Sequence, residues 1–176
     1  MGLTTVSNGG ALALSGGISI ADAITLSGAG IFNGEGSPTA IGTIPRGSGA
    51  LRSLDGTNSV TGNVTIGLTN TSIDVSSGST LNFGGAGAGV LAFGTNSAIK
   101  TGAGTLELSG TASNTGAGRL YVNEGVVELN KSGAAIALPV AEVIVGDTLG
   151  VTTPMSFATK PEPLARIRLA RQHGSG

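Results

Sequence analysis

Apolar side chains recur along this chain in pairs separated by one polar residue. The pattern is sharpest in Lys100–Lys131, KTGAGTLELSGTASNTGAGRLYVNEGVVELNK, where Leu106 and Leu108 flank Glu107, Leu120 and Val122 flank Tyr121, and Val127 and Leu129 flank Glu128. A period of two aims each aliphatic pair at an interior and the middle residue at solvent, so three short strands are predicted here, joined by Gly/Asn turns. Weaker copies are Leu12/Leu14, Ile18/Ile20, Ile24/Leu26, Val64/Ile66, Ile73/Val75, Leu81/Phe83, Leu91/Phe93 and Ile136/Leu138. Ala21-Asp22-Ala23 is compatible with a helix, but the β-branched residues around it fit the pleated surface better.

Between the pairs stand corner residues: Asp55-Gly56, Gly62-Asn63, Ser76-Ser77-Gly78 and Gly94-Thr95-Asn96. Two-residue hairpin turns are sparse, limited to Asn8-Gly9, Asn33-Gly34 and Asp55-Gly56, which argues against antiparallel hairpins. Three short strands with their corners take roughly 20–25 residues, the length of one β-helix coil. The expected architecture is an all-β parallel β-helix, or β-solenoid, of about six or seven coils at ~4.8 Å each. Residues 1–150 form that repeat domain. Within it 31–48, which holds Pro38 and Pro45, is expected to leave the solenoid as a loop and return. Val140–Val151 reads as a last strand. Residues 151–176 then change texture, with three of the six prolines and four of the nine basic residues. They are a basic, Pro-containing tail, either capping the open end or disordered, and composition favours disorder. Ala165–Arg171, alternating apolar and basic, would suit an edge strand, and Leu164 and Ile167 would equally suit one amphipathic helical turn. Gly174-Ser175-Gly176 resembles a linker.

Composition sharpens this picture. The chain of 176 residues has 32 glycines, 3% aromatic and 11% charged residues, yet 39% apolar ones. Small aliphatic side chains fill a thin core well, as a solenoid requires. With no cysteine, thiol chemistry and disulfides are excluded. Residues 1–150 carry five basic against nine acidic groups, and 151–176 four against one. The mildly acidic body offers no footprint for nucleic acid. No apolar run reaches the ~20 residues of a membrane span, and the start has neither basic nor apolar leader segment.

Candidate chemistry is thin. Glu107 and Glu128 are the outward residues of comparable strands, with Lys100, Arg119 and Lys131 near them in sequence. Stacked, they would form a solvated charge ladder, and a paired-carboxylate polysaccharide hydrolase or lyase is the enzymatic alternative. One charge per strand for solubility and edge protection is the simpler expectation. Asp22, Glu35, Asp55, Asp74, Glu124, Glu142 and Asp147 are scattered singly. Gly84–Val90 imitates a calcium-binding nonapeptide but has Gly89 where the ligand aspartate belongs. The Gly-Ala-Gly runs at 28–30, 102–104 and 116–118 precede no predicted helix that would hold a phosphate. His173 is the only histidine, which removes a Ser-His-Asp triad. Asn63-Val64-Thr65 and Asn70-Thr71-Ser72 are formal sequons that read as corners. Gln172 is the only glutamine, so Gln-ladder amyloid is set aside. Ice binding needs regular ranks of Thr on one flat face, and Thr69/Thr71 is too isolated to supply them. No catalytic, cofactor-binding or metal residue is assigned and no cofactor is expected.

The phrases GTLELSG at 104–110, RLYVNEGVVELN at 119–130 and KSGAAIALPVAEVIVGD at 131–147 resemble the autotransporter-associated β-strand repeat. Its pattern appears here as Gly102, Gly104, Leu106, Leu108, Ser109, Gly110, then Asn123, Gly125, Val127, Leu129 and Asn130. The resemblance extends in degenerate form over about 9–150 and is specific in 100–147. It implies a right-handed parallel β-helix from the passenger of a large secreted or surface-displayed bacterial protein, of which this chain is a piece. The implied role is a non-enzymatic rigid spacer at the extracellular or outer-membrane surface. The alternative is an adhesin module for glycan or host protein, using the 31–48 loop or the 109–119 turn. Neighbouring repeats of the parent are the implied partners, with end-to-end self-association where strand edges are bare. Pro161-Glu162-Pro163 before basic sequence faintly resembles a PEP sorting signal, without the membrane helix that signal requires.

Overall fold

The computed structural model describes residues 2–31, 48–85, 87–146 and 166–169. Among the described residues every regular element is a strand and all strand pairing is parallel. The chain winds so that strands visit three sheets in rotation. The first coil holds β1 (Leu3–Val6), β2 (Leu12–Leu14) and β3 (Ser19–Ile20); the second β4 (Ala23–Leu26), β5 (Leu51–Ser53) and β6 (Thr57–Val60); the third β7 (Val64–Ile66), β8 (Thr71–Val75) and β9 (Thr80–Phe83). Next come β10 (Leu91–Ala92), β11 (Ser97–Thr101) and β12 (Thr105–Gly110), then β13 (Arg119–Val122) and β14 (Val126–Lys131), then β15 (Glu142–Val145) and β16 (Arg166–Leu169). The first sheet is β1-β4-β7-β10, the second runs from β2 to β15, and the third from β3 to β16. The result is a β-solenoid of about five turns.

Register explains why so small a set of side chains suffices. In the third sheet Leu81, Leu106 and Val127 stack in one rank and Phe83, Leu108 and Leu129 in the next. The predicted pairs Ile24/Leu26, Val64/Ile66, Ile73/Val75, Leu81/Phe83, Leu91/Phe93, Leu106/Leu108 and Leu120/Val122 are all buried in one core. Each aliphatic residue rests on its equivalent one coil below, so the core is a column rather than a globule. The same stacking forces corner backbones together. At Gly125 (φ 70) a Cβ would collide with the carbonyl oxygen of Gly104, so two of the repeat's recurring glycines mark backbone-on-backbone contact.

Several expectations are corrected. Six strands in each of the two longer sheets meet the lower end of the expected coil count, the winding amounts to about five turns, and two of the turns carry long insertions: Leu12 matches Leu51, and Val126 matches Arg166. The first insertion falls where the excursion at 31–48 is expected. Its neck is closed by hydrogen bonds from Ser48 N to Ile31 O (3.2 Å) and from Ile31 N to Ser48 Oγ (3.1 Å), while 32–47 lie outside the described residues. The strand expected in 140–151 is present as β15, but it is not the last. β15 ends at Val145, and Arg166–Leu169 follows as β16, its Ile167 and Leu169 matched to Val127 and Leu129. Of the edge strand and the helical turn left open there, Arg166–Leu169 follow the strand, and the rest of 151–176 lies outside the described residues. Ile136 is 54% exposed and not part of an inward pair.

Candidate functional site

The outward rank of the third sheet holds the sequence candidates. Parallel register places Asn82, Glu107 and Glu128 side by side, with Arg168 next in line. Asn82 Nδ2 donates to Glu107 Oε2 (2.7 Å) and Asn130 Nδ2 to Oε1 (2.7 Å). Asn82 Oδ1 in turn accepts from Ser109 Oγ (2.6 Å) and Gly85 N (2.9 Å). Glu107 and Glu128 are thus brought together as neighbours, but both oxygens of Glu107 are already engaged by amides. A carboxylate tied down on both oxygens is a cross-coil brace; freeing it as a nucleophile or base would break two charge-assisted bonds.

The basic residues expected near them go elsewhere. Arg119 lies on the second sheet and pairs with Glu142 (Nε–Oε2 3.1 Å), both half exposed. Lys131 is buried, and burial pulls its ammonium below the ordinary lysine value. Lys100 departs furthest from expectation. It occupies an inward rank of the second sheet, between Ile73 and Val122, and is fully buried. Its Nζ donates to the carbonyl oxygens of Thr101 (2.7 Å), Gly102 (2.6 Å) and Glu124 (3.2 Å), at the corner where the second sheet turns into the third. Burial lowers its pKa to about 8, opposed by the charges of Asp74 and Glu124. In the sequence Lys100 reads as surface charge; only its position two residues after Ala98, itself two beyond a corner, hints at an inward slot.

The same corner is polar in other coils. Buried Asn58 accepts from Gly17 N (3.1 Å) and Ile18 N (3.0 Å) and donates to Ser53 Oγ (2.9 Å) and Asp55 O (2.8 Å). Ser53 Oγ also meets Ser79 Oγ at 2.6 Å. Asp55 accepts from Ser15 Oγ (2.7 Å) and Gly16 N (2.6 Å), and those two bonds, the hydroxyl first, hold its carboxyl below the usual range. Asp74 faces Arg52 at 3.9 Å and accepts from Thr101 Oγ1 (3.2 Å). Asp22 accepts from Gly2 N (2.9 Å).

The 109–119 segment does not project. Buried Asn114 accepts from Leu91 N (2.9 Å) and donates to Ala137 O (2.8 Å), and so ties three coils together. The sequon asparagines are corner pieces as read: Asn63 Oδ1 accepts from Val90 N (3.1 Å), and Asn70, with φ 58, accepts from Ser97 Oγ (2.9 Å). Among the described residues no three His, Cys, Asp or Glu side chains group as metal ligands, and no helix is long and apolar enough to cross a membrane. Glu35, Asp147, His173 and Gln172 lie outside the described residues. One arrangement was missed from the sequence: Thr5, Thr25, Thr65 and Thr115 fall on one outward face of the first sheet. The long first insertion hides their common phase, and only a comparison at coil spacing would find it. The chain matches no known protein-family model, no curated protein and no solved structure.

Proposed function

We propose that this chain is a non-enzymatic structural segment, a stiff spacer within an exported and surface-displayed bacterial protein of the autotransporter-passenger kind. One observation carries the reading: the polar side chains with defined geometry are spent on bonds between successive coils. Glu107, Asn58, Asn114, Asn70 and Lys100 each tie backbone or side chains of neighbouring turns. Parallel ladders along three sheets with cross-braced corners resist bending and offer few separable strands to a protease. The autotransporter resemblance rests on the sequence phrases 100–147, and the export and location parts of the reading rest on it.

The test is a display fusion. The chain, with an N-terminal epitope, is placed between an export signal and an outer-membrane β-barrel in a Gram-negative host. The epitope should be reached by antibody on intact cells, and the segment should survive protease concentrations that digest a Leu108→Asp version. A displayed segment digested as fast as that variant would sink the spacer reading, and a segment that never reaches the surface would sink the export reading.

A further inference from the structure

We propose that the outward face of the first sheet binds ice. Register stacks Thr5 on Thr25, Thr25 on Thr65, Thr65 on Ala92 and Ala92 on Thr115. Four of five successive coils therefore present a threonine at one lateral position. Thr5, Thr65 and Thr115 are exposed, and Thr25 and Ala92 half-buried. The hydroxyls of the four threonines make no hydrogen bond within the described residues. Other threonines are committed: Thr61 donates to Ile20 O (3.3 Å), Thr71 to Leu68 O (2.7 Å) and Thr101 to Asp74 Oδ1 (3.2 Å).

The surroundings of the rank point to a neutral, ordered partner. β1, β4, β7 and β10 read LTTV, AITL, VTI and LA, with no charged residue among them. The second sheet, by contrast, carries Arg52, Asp74, Arg119 and Glu142, and the third Glu107, Glu128, Arg166 and Arg168. The residues that continue the three strands are Ser7, Ser27 and Gly67, held by Ser27 N to Val6 O (2.9 Å) and Gly67 N to Leu26 O (2.7 Å). A Cβ at Gly67 would sit 2.6 Å from Ser27 Oγ and 3.1 Å from Thr25 Cγ2, so side chains of the neighbouring coil already occupy the space a larger residue would need there.

Hydroxyls repeating at the ~4.8 Å of stacked parallel strands come close to the short repeat of the hexagonal ice lattice. Threonine is β-branched and stiff at χ1, and its methyl group sheds water where a charge would hold a liquid-like shell. Because the scaffold fixes the array before binding, little side-chain freedom is lost on contact. The strands of this face carry no charged residue for a charged partner to read. Thr57, Thr80 and Thr105 also stack, on the third sheet, but beside the Asn82–Glu107–Glu128 rank, and so serve as an internal control.

The experiment is slow growth of ice in a dilute solution of the full chain, with the fraction of protein taken into the ice and the thermal hysteresis both measured. Wild type should be enriched in ice, Thr65→Tyr should fall to the level of a protein that ice excludes, and Thr57→Tyr should match wild type. Ala92→Thr, which completes the rank, should raise both readings. Circular dichroism melts of all four establish folding, and the Ala92→Thr gain remains decisive if a tyrosine variant does not fold. Exclusion of the wild type from ice, or equal loss in Thr57→Tyr and Thr65→Tyr when both fold, overturns the proposal, as does an Ala92→Thr protein no better than wild type.

Discussion

Lys100 shows how much one residue can depart from its type. Placed between Ile73 and Val122 in an aliphatic rank, its stem packs as a hydrocarbon while three carbonyls take the ammonium. Its folded pKa of about 8 lies below the ordinary lysine value of 10.5. Below pH 8 both folded and unfolded chains carry the proton, and the folded state bears the full desolvation penalty. Between pH 8 and 10.5 the unfolded chain keeps the proton and the folded chain does not, so raising the pH stabilises the fold; above that window the gain saturates. The stability of the wild type should rise across the window by on the order of 3 kcal/mol from this residue. In Lys100→Met, urea unfolding at pH 7.5 and pH 10 should show most of that rise gone, the remainder belonging to Lys131, whose shift has the same direction. An unchanged pH slope would show that Lys100 is not desolvated. Asp55 works in the opposite sense: its carboxyl is held low by Ser15 and Gly16, so its contribution is present above the unfolded value and lost on acidification through the folded one.

At the scale of elements, Leu108 tests the inward assignment most directly. It is fully buried and matched to Phe83 and Leu129. Leu108→Asp buries an unpaired carboxylate in the middle of the third sheet and should cost on the order of 4 kcal/mol or more. A cooperative melt by circular dichroism at the wild-type temperature would refute the register. The strands themselves were legible because period-two pairs such as Leu106/Leu108 are local. What was not legible depended on stacking. Asn58 and Lys100 sit in inward slots that a polarity rule assigns to solvent, and their satisfaction comes from carbonyls and amides on other turns. The Glu107–Glu128 neighbourhood was visible as a possibility, but its meaning reversed once Asn82 and Asn130 were seen to hold both oxygens of Glu107. Ile136 failed for the same reason: an apolar residue before Ala137-Leu138 looks like half a pair until the coil places it at 54% exposure.

For the whole molecule, each coil meets only its neighbours, so stability is a sum of short-range terms. Val145 and Leu169, in the last coil, are 47% and 76% exposed, and Leu3, in the first, 71%. β16 covers the edge of β14 through four matched residues. A chain ending at residue 150 should therefore bare the β14 edge and associate, seen as mass above monomer by light scattering, while the full chain runs smaller. Equal monomeric masses would show that β16 protects nothing.

The register also gives the chain a natural unit of editing. Leu51 and Ile73 occupy the same rank one turn apart, so deleting residues 51–72 joins Ala50 directly to Ile73-Asp74-Val75 in the place of Leu51-Arg52-Ser53. Such a protein should fold, shorter by one layer. Removing a single residue inside β12 instead exchanges the inner and outer faces of everything after it in that strand. Gene segments coding for this scaffold would thus tolerate loss or duplication in whole-turn steps and reject most others, and its length could drift across generations without its cross-section changing.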